Sequence, residues 1–231
     1  MTNIPSLSII IPTLNESQRL PLLIADLYLW PRQLELLVVD GGSSDNTRFV
    51  AELSGAKTHT SNEANRGAQM DYGACKSKGD WLLFLHADSR LNKGWPQSVT
   101  KAIQDPLASK SAWFFDFKVE DKNFELHLLE IAVALRCSFL NKPYGDQGLL
   151  IKKSLYNHLG GFKSLHLMED LDFIERIKSQ ASLKRIGEAI FTNNRKWQGQ
   201  GIIKQAWKNA KLRAKWRAGE PTDLLREKYY K

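Results

Sequence analysis

The sequence predicts an α/β fold with a mostly parallel central sheet flanked by helices. Three short runs are typical of strands buried in such a sheet: Leu7–Ile11 and Leu34–Val39, which are apolar apart from Ser8 and Glu35, and the unbroken apolar run Trp81–Leu85. Segments with a helical spacing of apolar residues separate the runs, and polar loops follow them. This alternation indicates right-handed crossovers within one doubly wound sheet.

The first half of the chain gives its elements in regular order. After the first run, Arg19–Leu29 carries apolar residues at positions 20, 23, 24 and 27, which is the spacing of an amphipathic helix. After the second run, a helix begins near Thr47, Ala56–Thr60 forms a short strand and Ala64–Ser77 forms a helix. The run that begins at Trp81 follows as the next strand.

The second half is less regular but still mixes helices and strands. Its predicted elements, in order, are a helix at Trp95–Asp105, a strand at Ala112–Val119, a helix at Asn123–Phe139, a loop and strand over Gly145–Lys152, helices at Ser154–Leu159 and Glu169–Ser179, a strand at Leu183–Thr192 and a helix at Gly201–Arg217. No linker rich in Pro, Gly or Ser interrupts them, so we expect a single domain over residues 1–231.

The composition is that of a globular protein in a reducing compartment. Of the 231 residues, 42% are hydrophobic and 25% are charged. Cys75 and Cys137 are far apart and form no CxxC pair, which argues against a zinc site or a disulfide framework. The sequence shows no signal peptide and no apolar stretch near the roughly 20 residues of a membrane span, so we expect a cytoplasmic location.

The net charge of +8 comes from one segment near the end of the chain. Residues 195–217 hold eight basic and no acidic residues, whereas residues 1–194 hold 22 of each sign. This local excess, without interleaved base-reading motifs, argues against a nucleic-acid binder. In the predicted helix, a lysine stripe lies opposite an apolar face that contains Ile202, Ile203, Ala206, Trp207, Ala210 and Ala214.

This stripe, formed by Lys204, Lys208, Lys211 and Lys215, has two interpretations. It is either the solvated face of a helix packed on the domain or a contact to an anionic membrane surface. The second interpretation places the protein peripherally at the inner face of the membrane. Just before the helix, Arg195–Trp197 is a candidate lid.

Polar residues follow the predicted strands at the carboxyl ends, where open parallel sheets bind their ligands. The glycines of the loop Asp40–Asp45 let a ligand approach, and the following helix N-terminus favours phosphate. A plain turn with a capping residue has the same sequence. The loop matches neither GxGxxG nor GxxxxGK[ST], which argues against a dehydrogenase and a common NTPase.

Further candidates follow the strand at Trp81. The Asp88 carboxylate has two interpretations, as a ligand for Mg²⁺ or Mn²⁺ or as a cap at the end of the strand. His86 has three, as a metal ligand, as a hydrogen-bond donor to phosphate or as a packed side chain. Glu169 and Asp170 begin a helix, where acids complement the helix dipole but where a carboxylate can also deprotonate an alcohol.

In this order, the loops and strands resemble those of inverting family 2 glycosyltransferases with the GT-A fold. The matching segments are Ser8–Glu16 (SIIIPTLNE), Val38–Thr47 (VVDGGSSDNT), Asn65–Gly73 (NRGAQMDYG), Trp81–Arg90 (WLLFLHADSR), Tyr144–Gly148 (YGDQG) and Gly160–Asp170 (GGFKSLHLMED). The LHADS and YGDQG forms are similar to a subgroup of small bacterial enzymes, some of which are linked to arsenosugar biosynthesis.

The resemblance implies sugar transfer from a nucleotide-diphosphate donor to a small-molecule or lipid-linked acceptor hydroxyl, with Mn²⁺ or Mg²⁺ on the diphosphate. Residues 1–110 would form the nucleotide-sugar half, 111–194 the acceptor half and 195–231 a basic helical segment. The implied nucleotide-binding residues are Pro12, Thr13, Glu16, Asp40 as the acid that reads the base, Arg66 and His86. The implied metal ligand is Asp88, and the implied catalytic residues are Asp170 as base and Glu169 beside it. The implied acceptor residues are Asp146 and Gln147.

Two departures from the family pattern concern the donor site. The usual Asp-Asp-Gly-Ser is Asp40-Gly41-Gly42-Ser43 here, so one carboxylate is absent. His86 stands at the first Asp of the DxD metal motif, whose last Asp is Asp88. Imidazole can ligate Mn²⁺ but suits Mg²⁺ poorly, so either metal binding is weaker or His86 contacts the diphosphate directly.

Two other functions compete with glycosyl transfer. A sugar nucleotidyltransferase would need a Gly-rich signature with Arg or Lys near the N-terminus, and Ile11–Asn15 has none. A non-catalytic relic that binds nucleotide sugars would explain His86, but Asp88 and Asp170 speak against it. Asp146 and Gln147 also have a plainer interpretation, as a turn pair.

Overall fold

The computed structural model describes residues 5–61, 64–121, 123–193 and 201–230, without the side chains of Ile202, Ile203 and Tyr230. Its strands are β1 (Leu7–Thr13), β2 (Leu34–Asp40), β3 (Lys57–Thr60), β4 (Trp81–Phe84), β5 (Ser89–Leu91), β6 (Ser111–Val119), β7 (Leu149–Lys152) and β8 (Ser182–Thr192). Its helices are α1 (Leu20–Leu27), α2 (Thr47–Leu53), α3 (Arg66–Lys76), α4 (Trp95–Ile103), α5 (Phe124–Leu140), α6 (Lys153–His158), α7 (Glu169–Gln180), α8 (Ile202–Arg217) and α9 (Thr222–Tyr230).

The strands form one sheet in the order β3-β2-β1-β4-β7-β6-β8-β5. β1 pairs in parallel with both β2 and β4, and β2 pairs in parallel with β3. β7 runs antiparallel to β4 and β6, and β5 runs antiparallel to β8. The predicted α/β fold, with a mostly parallel sheet flanked by helices, is confirmed.

The largely apolar runs arise because helices cover both faces of the sheet. Ile9 and Ile11 of β1 pack in a cluster that includes α1 and α4, whereas Ile10 packs in a second cluster with Met70 of α3. α3 approaches β1 closely, since a Cβ at Gly73 would lie 2.5 Å from Cγ2 of Ile10. Alternate residues of one strand therefore fill two separate cores.

β1 includes Pro12 and extends to Thr13. Its pairing with β4 stops at Ile10 opposite Phe84, while its pairing with β2 continues to Thr13 opposite Asp40. Pro12 therefore lies where only one neighbouring strand remains, so the backbone N–H that it lacks is not needed by β4. The chain beyond Ile10 is left uncovered on one side, and a cleft opens there.

Two short elements escaped prediction. β5 has only three residues and no apolar run, and its pairing of Ser89 with Thr192 of β8 defines it. Asp26 of α1 holds it in place, because this carboxylate accepts hydrogen bonds from Nε (2.6 Å) and Nη2 (3.0 Å) of Arg90. α9 follows α8 after a tight turn. Its Leu225 is buried and packs with Met168, Leu171 and Leu212.

α8 packs through a different face from the predicted one. Its buried residue is Leu212, which joins Met168, Leu171 and Leu225 in a small third cluster. The residues of the predicted apolar face whose side chains the structure describes, Ala206, Trp207, Ala210 and Ala214, are exposed instead, and Trp207 is 64% exposed. The prediction failed because α9, whose apolar residues receive α8, was not foreseen. Residues 194–200, which hold the candidate lid, lie outside the described part of the chain.

Within the described ranges, none of the helices combines the length and the apolar character needed to cross a membrane.

Gly148 allows a test of the backbone conformation and packing at the start of β7. Its φ of 61° and ψ of 166° lie in a region that essentially only glycine adopts. A Cβ would also lie 2.9 Å from Cδ2 of Leu85. We expect Gly148→Ala to lower the free energy of unfolding, measured by denaturant titration, by about 2 kcal/mol or more.

Gly187→Ala is the matched control, since Gly187 also has a positive φ but has nothing within 4 Å of its Cβ position. We expect this variant to lose less stability than Gly148→Ala. Equal losses would contradict the packing part of the explanation.

Candidate active site

A cleft of about 310 Å³ lies at the carboxyl ends of β1 and β4. Its lining includes Pro12, Thr13, Leu14, Glu16, Ala64, Arg66, Gln69, His86, Ala87, Asp88, His166, Leu167, Glu169, Arg226 and Tyr229. Seven of the residues predicted from the sequence therefore meet in one place, although they come from four separate segments. This is the edge at which an open parallel sheet binds ligands.

Asp40 lies behind the cleft, not in its lining. It is fully buried, and its Oδ1 accepts from Oγ1 of Thr13 (3.0 Å) and Oγ of Ser43 (2.5 Å). Its Oδ2 accepts from the backbone N–H groups of Gly42 (3.1 Å) and Ser43 (2.8 Å). Asp40 thus shapes the loop after β2, and a contact with a nucleotide base requires one of these bonds to open.

Gln69 is a site residue that the sequence did not reveal. Its side-chain amide donates to the carbonyl oxygens of Thr13 (3.0 Å) and Val39 (2.7 Å), which lie at the ends of β1 and β2. It therefore fixes the floor of the cleft while α3 packs on the sheet. A single glutamine within an amphipathic helix carries no pattern that indicates such a role.

The turn His86-Ala87-Asp88 is held between β4 and β5. The backbone N–H of Ser89 donates to the carbonyl of His86 (3.1 Å), and Ala87 is buried in the core. Asp88 is 9% exposed and faces the cleft. The ion pair between Arg90 and Asp26 anchors β5, which follows the turn. β4 and β5 therefore both set the position of the Asp88 carboxylate.

Arg66 and Glu169 form an ion pair across the cleft. Nε of Arg66 donates to Oε1 of Glu169, with side-chain exposures of 38% and 2%. Burial raises the pKa of Glu169, Arg66 opposes this shift and Asp170 adds to it. The loop before α7 and the start of α7 can approach α3 because residue 67 is glycine. A Cβ at Gly67 would lie 2.2 Å from the carbonyl oxygen of Lys163 in this loop and 3.1 Å from Cβ of Glu169.

Asp170 faces a different side from Glu169. Its Oδ2 accepts from the backbone N–H of Gly145 (2.7 Å), and its Oδ1 accepts from that of Leu171 (2.8 Å) at the start of α7. A Cβ built on Gly145 would lie 3.1 Å from Nε2 of His86 and 3.2 Å from Oδ2 of Asp170. The His86 imidazole and the Asp170 carboxylate therefore flank Gly145. His86 lines the cleft and also lies next to the glycine that binds Asp170.

A second pocket of about 120 Å³ adjoins Asp170. Its lining is largely apolar and aromatic and consists of Arg66, Tyr144, Leu167, Met168, Asp170, Leu171, Asn209, Leu212, Arg213 and Tyr229. The Tyr144 ring lies between two guanidinium groups, Arg136 at 3.6 Å and Arg213 at 5.0 Å from its centroid. α8 and α9 thus supply a wall of the site that the sequence did not predict.

The predicted acceptor residues lie on the 3₁₀ turn Gly145–Gln147. Gln147 is buried, and its Oε1 accepts from Nη2 of Arg136 (3.1 Å) while its Nε2 donates to the carbonyl of Phe115 (3.0 Å). It supports the turn that carries Gly145. Asp146 is half-buried and is not part of the lining of either pocket described above.

The cleft fits a metal ion only in part. Among the described residues, no group of three His, Cys, Asp or Glu side chains is arranged to hold a metal. Asp88 and His86 do line the same cleft, and a hard cation bound by one or two protein ligands usually takes its other ligands from substrate phosphates and water. The donor set therefore suits a metal that arrives with a diphosphate.

A larger cavity, of about 670 Å³, lies at the opposite end of the strands, beside Ser6 and Asp80. It contains none of the predicted site residues, and it is lined by the amino ends of β1 and β4. Size alone does not make it the functional site.

Comparison with known proteins identifies a family. The model of the family "Glycosyl transferase family 2" matches residues 8–169. An uncharacterized glycosyltransferase of Haemophilus influenzae is 27% identical over 193 residues, which cover 76% of this chain and 63% of the relative. The chain spans less than two thirds of the length of the curated relatives it matches.

Solved structures share the fold at low sequence identity. Staphylococcus aureus TarS residues 1–349 in complex with UDP-GlcNAc matches with a TM-score of 0.66 at 18% identity, covering 82% of this chain and 59% of TarS. Glucosyl-3-phosphoglycerate synthase of Mycobacterium tuberculosis, in complex with Mn²⁺, UDP and its product, matches with a TM-score of 0.61 at 18% identity, covering 83% of this chain and 73% of the synthase.

Removal of Arg66 tests the ion pair. Arg66→Ala leaves Glu169 buried without its cation, and we expect a loss of about 2 kcal/mol at pH 8, less than for a fully buried pair because Arg66 is partly exposed. A raised pKa means that folded Glu169 takes up a proton before unfolded Glu169 does, so the variant regains stability as the pH falls toward 5. Denaturant titration at both pH values measures this.

Arg48→Ala, at an exposed arginine of α2, is the control and should change stability little at either pH. An equal loss for Arg66→Ala at both pH values would contradict a buried, ionised Glu169.

Proposed function

The chain belongs to glycosyl transferase family 2, and on that premise we propose that it transfers a sugar from a nucleotide-diphosphate donor to an acceptor hydroxyl, with inversion at the anomeric carbon. One observation carries the proposal: Arg66, His86 and Asp88 share a cleft, and Asp170 stands at its side next to a second pocket. A donor in the cleft and an acceptor in the pocket would meet beside Asp170.

The donor fits the cleft of about 310 Å³ at the carboxyl ends of β1 and β4. The loop after β1, which holds Pro12, Thr13 and Glu16, provides one wall for the nucleoside. Arg66 and the N-terminus of α3, capped by the Asn65 side chain, favour negative charge on the facing wall. Asp40 contributes by holding the loops, and direct recognition of the base by Asp40 remains a prediction.

The diphosphate fits beside the turn at His86 and Asp88. A divalent metal held there by Asp88 would neutralise the diphosphate leaving group, and imidazole as a further ligand favours Mn²⁺ over Mg²⁺. His86 could equally donate a hydrogen bond to a phosphate oxygen. In both cases the negative charge that develops on the leaving group is met by fixed groups of the protein.

Asp170 is the proposed general base. Its Oδ2 is held by Gly145 and its Oδ1 by Leu171, so the carboxylate is fixed in orientation at the start of α7. It takes the proton of the acceptor hydroxyl as that oxygen bonds to the anomeric carbon. The bond between this carbon and the diphosphate breaks on the opposite face, and its electron pair leaves with the diphosphate.

Glu169, predicted as a catalytic residue, has a supporting role in this proposal. It is buried against Arg66 and does not line the pocket beside Asp170. Gln147 likewise acts through the turn that carries Gly145, while a contact between Asp146 and an acceptor hydroxyl remains a prediction.

The finer features of the protein follow as proposals. Residues 1–110 would form the nucleotide-sugar half and residues 111–194 the acceptor half, with the C-terminal helices over both pockets. Lys204, Lys211 and Lys215 are exposed and remain candidates for an anionic membrane contact, whereas Lys208 is turned inward, where its Nζ donates to the carbonyl of Tyr229 (2.8 Å). Membership of the subgroup with links to arsenosugar biosynthesis remains a prediction, and so does a cytoplasmic location of the protein.

Family membership favours transferase activity over a sugar nucleotidyltransferase. Activity distinguishes an enzyme from a non-catalytic relic that only binds nucleotide sugars. An enzyme would slowly release nucleoside diphosphate from a donor sugar. A relic would be stabilised by the nucleotide and would release none.

Asp170→Asn tests the base. We expect release of nucleoside diphosphate from UDP- or GDP-sugars to fall by roughly 10²- to 10⁴-fold, because the amide cannot accept the proton. Thermal stabilisation by UDP or GDP should persist, since the donor lies in the other pocket. Glu175→Gln, an exposed acid on the same helix, is the control and should leave release unchanged. Unchanged release in Asp170→Asn would rule out the base assignment.

Asp88→Asn tests the metal. We expect thermal stabilisation by UDP or GDP to rise on addition of Mn²⁺ in the wild type and not in this variant, because a neutral amide binds a hard cation poorly. Asp80→Asn, at the other end of β4, should behave as the wild type. The same Mn²⁺ effect in Asp88→Asn would show that Asp88 does not hold the metal.

A further inference from the structure

α5 presents a continuous apolar stripe to solvent. Phe124, Leu128, Ile131, Leu135 and Phe139 recur every three or four residues, which places them on one side of the helix. They are 43–81% exposed. The opposite side packs on the sheet through Leu126, Val133 and Cys137. Single exposed apolar residues are ordinary on a protein surface, but five that share one helix face indicate a surface that is covered in use.

α8 lies beside α5 and extends this surface. The two helices contact each other and are joined through Tyr144, whose ring lies between Arg136 of α5 and Arg213 of α8. The outward side of α8 carries the exposed Trp207 and three small exposed residues, Ala206, Ala210 and Ala214.

The surface is basic along α8, although Lys215 is paired with Glu220 (3.8 Å). Lys204, Lys211 and Lys215 are exposed along α8, and Nζ of Lys211 lies 4.1 Å from the centroid of the Trp207 ring. α8 contains no acidic residue. Of the two acids of α5, Glu130 is paired with Lys118, and Glu125 lies in the first turn.

We infer that the exposed faces of α5 and α8 together dock on an anionic membrane surface. Phe, Leu, Ile and Trp side chains beside lysines are the composition of helices that lie in the interface of a bilayer, with the apolar side chains among the acyl chains and the ammonium groups at the headgroups. A second copy of the chain fits less well, since a two-fold interface would set this basic surface against itself.

Docking would place the pocket beside Asp170 next to the bilayer. Tyr144 lines that pocket, and its ring is stacked on Arg136 of α5. An acceptor dissolved in the membrane could then reach Asp170 without leaving the interface. The docking surface itself does not depend on the proposed transfer reaction, and the two can be tested apart.

Co-sedimentation with vesicles tests the inference. We expect the wild type to bind vesicles of phosphatidylcholine and phosphatidylglycerol and to bind phosphatidylcholine alone much more weakly. The triple variant Leu128→Gln, Leu135→Gln, Phe139→Gln should lose at least about 100-fold in partitioning, because three exposed apolar anchors are removed without disturbing the core. The double variant Lys204→Gln, Lys211→Gln should lose about 30-fold on the anionic vesicles.

The matched control is Phe49→Gln with Leu53→Gln, two exposed apolar residues of α2, and it should bind as the wild type. α2 packs in the first core cluster and α5 in the second, so the two helices lie on opposite faces of the sheet. Wild-type binding by the α5 variant would overturn the inference. So would a dimer in sedimentation velocity that the α5 variant converts to a monomer, since a second copy would then cover the stripe. Thermal stabilisation by UDP or GDP in all variants reports on the proposed function separately.

Discussion

The ion pair between Arg66 and Glu169 is the constraint on which the site depends. It joins α3, which packs on the parallel strands, to α7, which carries Asp170. Glu169 is buried, so it needs this cation, and Gly67 leaves the space that brings the helices together. One contact thereby sets the distance between the wall that would hold the donor and the residue that would activate the acceptor.

The neighbouring acids of α7 show how adjacent residues acquire different roles. Glu169 points into the protein and is neutralised by Arg66, whereas Asp170 points to the pocket and is oriented by backbone N–H groups. The same helix start favours negative charge on both. We therefore base the proposed roles, support for Glu169 and catalysis for Asp170, on the surroundings of each carboxylate and not on its residue type.

The sequence was informative where burial imposes a pattern and silent where contacts join distant residues. Strands at Leu7, Leu34 and Trp81 were predicted because both faces are covered, and Asp88 became a candidate because it follows such a strand. Asp170 became a candidate at a helix start and through the family resemblance. The hydrogen bond from Gly145 to Asp170 and the position of Gln69 depend on tertiary packing alone. The face of α8 was predicted wrongly because Leu225 of α9, which receives it, belongs to a helix without a clear periodic pattern.

The most direct test of the donor site is a crystal structure of the protein soaked with UDP and Mn²⁺, or with GDP and Mn²⁺. We predict nucleotide density in the cleft of about 310 Å³, with the diphosphate beside Asp88 and Arg66. Nucleotide bound instead in the larger cavity beside Ser6 and Asp80, at the opposite end of the strands, would contradict the proposed site.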